Sequence, residues 1–190
     1  MRDDILWEWI LPILLISSSY VLAFATTFAV VMPVQDAVLP AFGNYASLLF
    51  LPHGVRVIGA WMYGWRSLLF LAPGAVLTHS YLYGSVGFSV DYMVAVFSGV
   101  VCAAFGFWFF ALLGMDFRLD KADRVNWRDI MLAGGAASIL NSLGTKIFFD
   151  NDITTASARF VGDVTGMIVS IFLLMLIFRV LRLASGGRRI

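Results

Sequence analysis

Apolar residues gather in long blocks along this chain, and polar residues punctuate the gaps between them. Roughly 20 apolar residues cross a bilayer as a helix. On that measure the blocks are Trp9–Met32, Tyr45–Tyr63, Ser67–Tyr83, Tyr92–Leu113, Ile130–Phe149 and Ala158–Arg179. They predict an all-α, polytopic membrane helix bundle with six transmembrane helices in one membrane domain. Only Gly64-Trp65-Arg66 separates the second block from the third, which predicts a tight helical hairpin. Pro52-His53-Gly54 interrupts the second block and Pro73-Gly74 the third. Proline removes a backbone donor and glycine relaxes the local geometry. A helix broken at membrane depth is tolerated where protein or water covers the freed groups. A half-helix starting near Gly54 would aim N–H groups into the bundle and favour an anion there.

The polar gaps alternate in positive charge. Pro33–Asn44, Gly84–Asp91 and Asp150–Ser157 hold no Lys or Arg. Arg66 marks the second gap, and Arg118, Lys121, Arg124 and Arg128 mark the fourth. Arg179, Arg182, Arg188 and Arg189 follow the last block. The positive-inside rule then places both termini in the cytoplasm of a multi-pass protein in a bacterial inner membrane. Ala23-Phe24-Ala25 has the form of a signal cleavage site. The acidic start (Asp3, Asp4, Glu8) and the continuation of the apolar block to Met32 favour a retained helix.

Composition narrows the function. Of 190 residues, 61% are hydrophobic and 13% charged, where soluble domains run near ~25% charged. No stretch between blocks is long enough for a soluble catalytic domain. A net charge of +1 gives no basic field for nucleic acid. The single cysteine, Cys102, excludes an intrachain disulfide. No nucleophile–base pair, phosphate-cradling glycine loop or zinc ligand set stands out, so a non-enzymatic protein without a metal is expected.

The chemistry lies in polar residues inside the blocks. Arg56 falls near the midplane, roughly 16 Å from the outer end of its span, with His53 roughly 12 Å down. His79, Asn141, Lys146, Arg159 and Asp163 come from three other spans, all in the outer half. Ionisable groups at such depth are functional candidates by default. The expected site is His53, Arg56, His79, Asn141 and Asp163. Pro52, Gly54, Gly162 and Gly166 supply its backbone geometry. Two readings stand open. In one, Arg56 pairs with Asp163 in a dry structural network. In the other, an outward pocket takes a small anionic or zwitterionic ligand. A b-type haem on His53 and His79 is a further alternative, since these are the only histidines and lie on adjacent helices. Lys146 and Arg159 are expected to snorkel outward. Small residues four apart (Ala25/Ala29, Gly99/Ala103, Ala133/Ala137, Gly162/Gly166) predict close helix packing. The loop with Asp116, Asp120 and Asp123 reads as solvated.

Two stretches carry a resemblance. Phe50-Leu51-Pro52-His53-Gly54-Val55-Arg56 through Gly64-Trp65-Arg66 to Ala72-Pro73-Gly74 is the first. Phe160-Val161-Gly162-Asp163-Val164-Thr165-Gly166 is the second. They resemble the aromatic-Pro-x-Gly helix, the Gly-Arg turn and the Gly-Asp-x-x-Gly of a bacterial integral-membrane sensor family. That family usually precedes diguanylate cyclases and histidine kinases and belongs to the vitamin-uptake-like sensor group. His53 stands where the family has a small residue or proline. The resemblance implies a sensor-like membrane module, here short and stand-alone, whose signal leaves through a partner protein. The substrate-binding components of energy-coupling-factor vitamin transporters are similar in size and span number, and Ala25/Ala29 is loosely similar to their docking stripe. The alternative functions are therefore a solute-binding subunit of such a transporter, or an accessory or assembly subunit of a larger membrane complex.

Overall fold

The structure is a computed structural model that describes residues 6–40, 46–121, 126–149 and 153–184. The described residues form helices and contain no strand. We name the helices α1 (Leu6–Val38), α2 (Leu51–Tyr63), α3 (Ser67–Tyr83), α4 (Val90–Leu112), α5 (Trp127–Phe149) and α6 (Ile153–Ala184). α1, α6 and the Tyr92–Leu112 part of α4 are long and apolar enough to cross a membrane. Their outer faces expose Leu14, Leu22, Val30, Phe97, Trp108, Phe172 and Ile177. Apolar surface on that scale fits a lipid surround. Tyr45, the proposed start of the second span, and Asp123, Arg124, Asp150, Arg188 and Arg189 lie outside the described residues.

α2 is the centre of the bundle. It packs against α1, α3, α4, α5 and α6, and Leu51, Pro52, His53, Gly54, Arg56, Val57, Gly59, Ala60 and Trp61 are buried. Shielding explains how so polar a helix sits among apolar ones, because its charged groups face protein and not lipid.

Three expectations about breaks are corrected. The second span is not helical from Tyr45 onward. Residues 46–50 are non-helical, and α2 starts at Leu51 with Pro52 in its first turn, where a missing N–H costs nothing. The proline therefore begins the helix. Backbone groups freed before α2 are met by protein. Gln35 donates to the Ala46 carbonyl (3.1 Å) and accepts from the Leu48 N–H (2.7 Å). Phe50 N–H donates to the Gly162 carbonyl (2.8 Å), and Leu51 N–H to the Thr27 hydroxyl (3.3 Å). With His53 N–H on the Phe50 carbonyl (3.2 Å), these donors at the start of α2 are occupied, so the half-helix does not present them to an anion.

The gap expected from Pro33 is also absent, since α1 continues to Val38. A π-helical turn at Thr27–Val31 precedes the proline. Its wider backbone makes room for the proline ring. Pro73 likewise leaves α3 unbroken. Ser17 of α1 accepts from the Gly74 N–H (3.1 Å) and donates to the Phe70 carbonyl (2.7 Å). One hydroxyl thus bridges the opened backbone turn. A Cβ on Gly74 would stand 2.8 Å from the Ser17 carbonyl oxygen, so glycine is required for this approach. The Gly162/Gly166 pair serves the chain before α2. Cβ atoms there would overlap the Ser47 and Phe50 carbonyls.

An apolar core of Val57, Trp61, Cys102, Phe107, Ile130, Ala133 and Met167 fills the other end of α2. A second, around Ile16, Phe70, Leu71 and Ala75, joins α1 to α3. Together they floor the polar layer described next.

Candidate functional site

A cavity of about 460 Å³ opens at one end of the bundle. Its walls come from residues 20–32 of α1, the C-terminal halves of α3 and α5, the N-terminal halves of α2, α4 and α6, and Ala46, Ser47 and Phe50 before α2. Ligand pockets typically measure about 300–1,000 Å³ and combine apolar walls with a few polar groups. Arg56, His79, Asn141 and Asp163 all line it, together with Arg159. Of the expected site, only His53 sits behind the wall, fully enclosed.

Arg56 does not pair with Asp163. No carboxylate among the described residues comes within 4.0 Å of its guanidinium. Nη2 donates to the Tyr20 hydroxyl at 2.7 Å, while Nε has no partner. The guanidinium lies over the Tyr20 ring (5.4 Å) and the Phe50 ring (5.6 Å), a cation–π sandwich. It also presses on α4 at Gly99, where a Cβ would stand 2.9 Å from Nη2. Only 8% of Arg56 is exposed. A permanent charge so buried, with only neutral groups in direct contact and Asp163 acting on it from beyond 4.0 Å, is costly.

Asp163 has other partners. Asn141 donates to its Oδ2 at 2.7 Å, and His53 Nδ1 stands 3.7 Å from the same oxygen. His53 Nε2 lies 3.0 Å from the Ser138 hydroxyl and 3.3 Å from the Gly134 carbonyl, to which Ser138 also donates. Ser138, His53 and Asp163 are the residue types of a hydrolytic triad. Yet Ser138 is fully buried and does not line the cavity, so no substrate carbonyl reaches its hydroxyl.

His79 contacts the Gly87 carbonyl through Nε2 (2.9 Å) and packs on Tyr83 and Tyr92 at the cavity mouth. His53 and His79 share no cavity wall, and each Nε2 is engaged. This geometry does not fit a haem axial pair. Among the described residues no three His, Cys, Asp or Glu side chains converge.

Pro52, Gly54, Gly162 and Gly166 hold the chain entering α2 against α6 and do not line the cavity. Arg159, expected to snorkel outward, contributes to the wall with its Nε enclosed and without a partner. The aromatic lining of Tyr20, Phe24, Phe28, Phe50 and Tyr92 was not anticipated. A signal existed for part of it, because Tyr20, Phe24 and Phe28 recur every four residues and so share one helix face. Ser138, Asn141, Ser142 and Thr145 form a comparable buried polar face on α5.

Searches of protein-family models, curated proteins and solved structures found no match to this chain. The likeness to the sensor group rests on the two motifs alone.

Proposed function

We propose that this chain is a non-enzymatic, sensor-like membrane module that binds a small anion in the cavity and passes its occupancy to a partner protein. The observation that carries this reading is Arg56. A guanidinium cannot lose its charge, and this one lines the cavity with no carboxylate among the described residues within 4.0 Å, Asp163 on the same wall being engaged by Asn141. An anionic ligand supplies the missing counter-charge, and Arg159 adds a second positive group. Contact at Arg56 acts on α2, which touches every other helix, so binding is felt across the bundle.

In this reading the protein crosses a bacterial inner membrane six times, with both termini cytoplasmic. α1, α4 and α6 face lipid, as do the exposed Leu77 of α3 and Ile139 of α5, and α2 is carried among them. The cavity end is joined by the gaps without Lys or Arg, so the positive-inside rule turns it outward.

The test is purification from native membranes in mild detergent, with mass spectrometry of everything retained, for wild type and Arg56→Met. The expected result is a small anion held by the wild type and missing from the variant, together with a stoichiometric protein partner. Equal recovery of every bound small molecule from both proteins overturns the reading.

A further inference from the structure

We infer that the ligand is an elongated aromatic monocarboxylate, seated with its carboxylate at Arg56 and its ring along α1. This rests on reading the cavity as a ligand site and names what that site selects.

Charge sets the first half of the argument. Two guanidiniums, Arg56 and Arg159, and one carboxylate, Asp163, line the cavity. Counting Asp163 in full still leaves one uncompensated positive charge, which a monoanion neutralises. A zwitterion would leave the excess in place. Asp163 is in any case engaged by Asn141 and faces His53, so it is poorly placed to receive a ligand ammonium. Arg56 lines the cavity with its Nε enclosed and without a partner, and a guanidinium fork matches a planar carboxylate.

Shape sets the second half. Tyr20, Phe24 and Phe28 rise along one wall of α1 in steps of four residues, and Met32 continues the row. Each step climbs about 6 Å, so Tyr20 to Phe28 spans about 12 Å. Tyr20 at the foot of the row holds the Arg56 guanidinium through its hydroxyl. Phe24 and Phe28 stack at 4.3 Å between centroids, and Phe50, Tyr83 and Tyr92 also line the cavity. The row starts at the cation and leads away from it along aromatic faces. An anionic head followed by a flat apolar body is the chemistry that matches both ends. Aromatic rings favour offset or edge contacts with a second ring.

The experiment titrates the full chain in detergent with matched probes and reads the melting midpoint and binding. The probes are 3-(2-naphthyl)propionate, its alcohol analogue 3-(2-naphthyl)propanol, the amino acid 3-(2-naphthyl)alanine, and decanoate. Each is tested on wild type, Arg56→Met and Phe24→Leu. The naphthylpropionate is expected to raise the wild-type midpoint in a concentration-dependent way. Arg56→Met should weaken it by roughly ten- to a hundredfold, the worth of a charge-assisted hydrogen bond. Phe24→Leu keeps the charge and should weaken it by a smaller factor, with decanoate unaffected. Preferential binding of the amino acid overturns the monoanion while leaving the anchor at Arg56 in place. Tighter binding of decanoate overturns the aromatic body. Equal binding of the alcohol overturns both this inference and the anion site. Failure of all four probes, with a native anion still retained by wild type, overturns the ligand class alone.

Discussion

Replacing Arg56 with methionine should make this protein more stable while abolishing the proposed anion binding. Methionine has a similar length and no charge. The substitution loses the Tyr20 hydrogen bond and the two ring contacts. Tyr20 is buried but lines the cavity, so the loss at its hydroxyl is that of one hydrogen bond, ~1 kcal/mol. Against that loss stands the desolvation of a guanidinium, several kcal/mol in a buried site. Apolar replacement of buried ion pairs is neutral or stabilising by about 1–4 kcal/mol even where a carboxylate is present. No carboxylate among the described residues pairs directly with Arg56, so a gain of about 1–4 kcal/mol is expected after bound small molecules have been washed away. For a chain of this size each kcal/mol moves the melting midpoint by roughly 2–4 °C. Cys102, the single cysteine, is buried, and a thiol-reactive fluorophore therefore reports unfolding directly, with tryptophan emission as a second probe. A loss of roughly 3–5 kcal/mol would be the signature of breaking a satisfied buried pair. That result would refute the claim that Arg56 awaits an external anion.

Asp163→Asn should cost only about 1 kcal/mol in the same assay, because Asn141 can still donate to the amide oxygen. A loss near that of a broken buried ion pair would restore a direct contact with Arg56. Ser17→Ala strands the Gly74 N–H and the Phe70 carbonyl, at about 1–3 kcal/mol per unsatisfied group. Amide exchange should quicken around Gly74 first, and unchanged exchange there would show that the hydroxyl is not the bridge. In the loop after α4, the Arg118 guanidinium holds the Asp116 carboxyl below its usual range through a hydrogen bond from Nε (2.8 Å) and a second from Nη2. A depressed carboxyl stabilises above its unfolded pKa and loses that contribution as pH falls through the folded one. The tether should therefore be complete at neutral pH and fade below about pH 4. Its worth is at most about 1 kcal/mol for so accessible a pair. Proteolysis of residues 114–121 should become easier on acidification, and Asp116→Asn should remove that pH dependence.

Much of the helix layout was legible because it depends on local quantities. The third block matches α3 residue for residue, and the hairpin turn falls at Gly64–Arg66, where Gly64 takes a positive φ of 56°. Helix ends near proline were misjudged. At Pro33 the chain widens into a π turn, and at Pro73 a serine from another helix repairs the gap. Both remedies come from outside the proline's own dipeptide.

The site divides along the same line. Block length and the depth of each polar residue follow from rise per residue, so the chain by itself suggested only that these groups lie toward one end of the bundle. The fold brings Arg56, His79, Asn141 and Asp163 onto one cavity wall. The chain by itself could not fix which of them touch. Rotation of each helix about its axis decides that, and rotation is set by packing among all the helices at once. Packing turned Asp163 toward Asn141 and His53, laid Arg56 between Tyr20 and Phe50, and drew Arg159 into the wall. An arginine inside an apolar block announces itself in any sequence, whereas its separation from Asp163 exists only once the helices have closed around it.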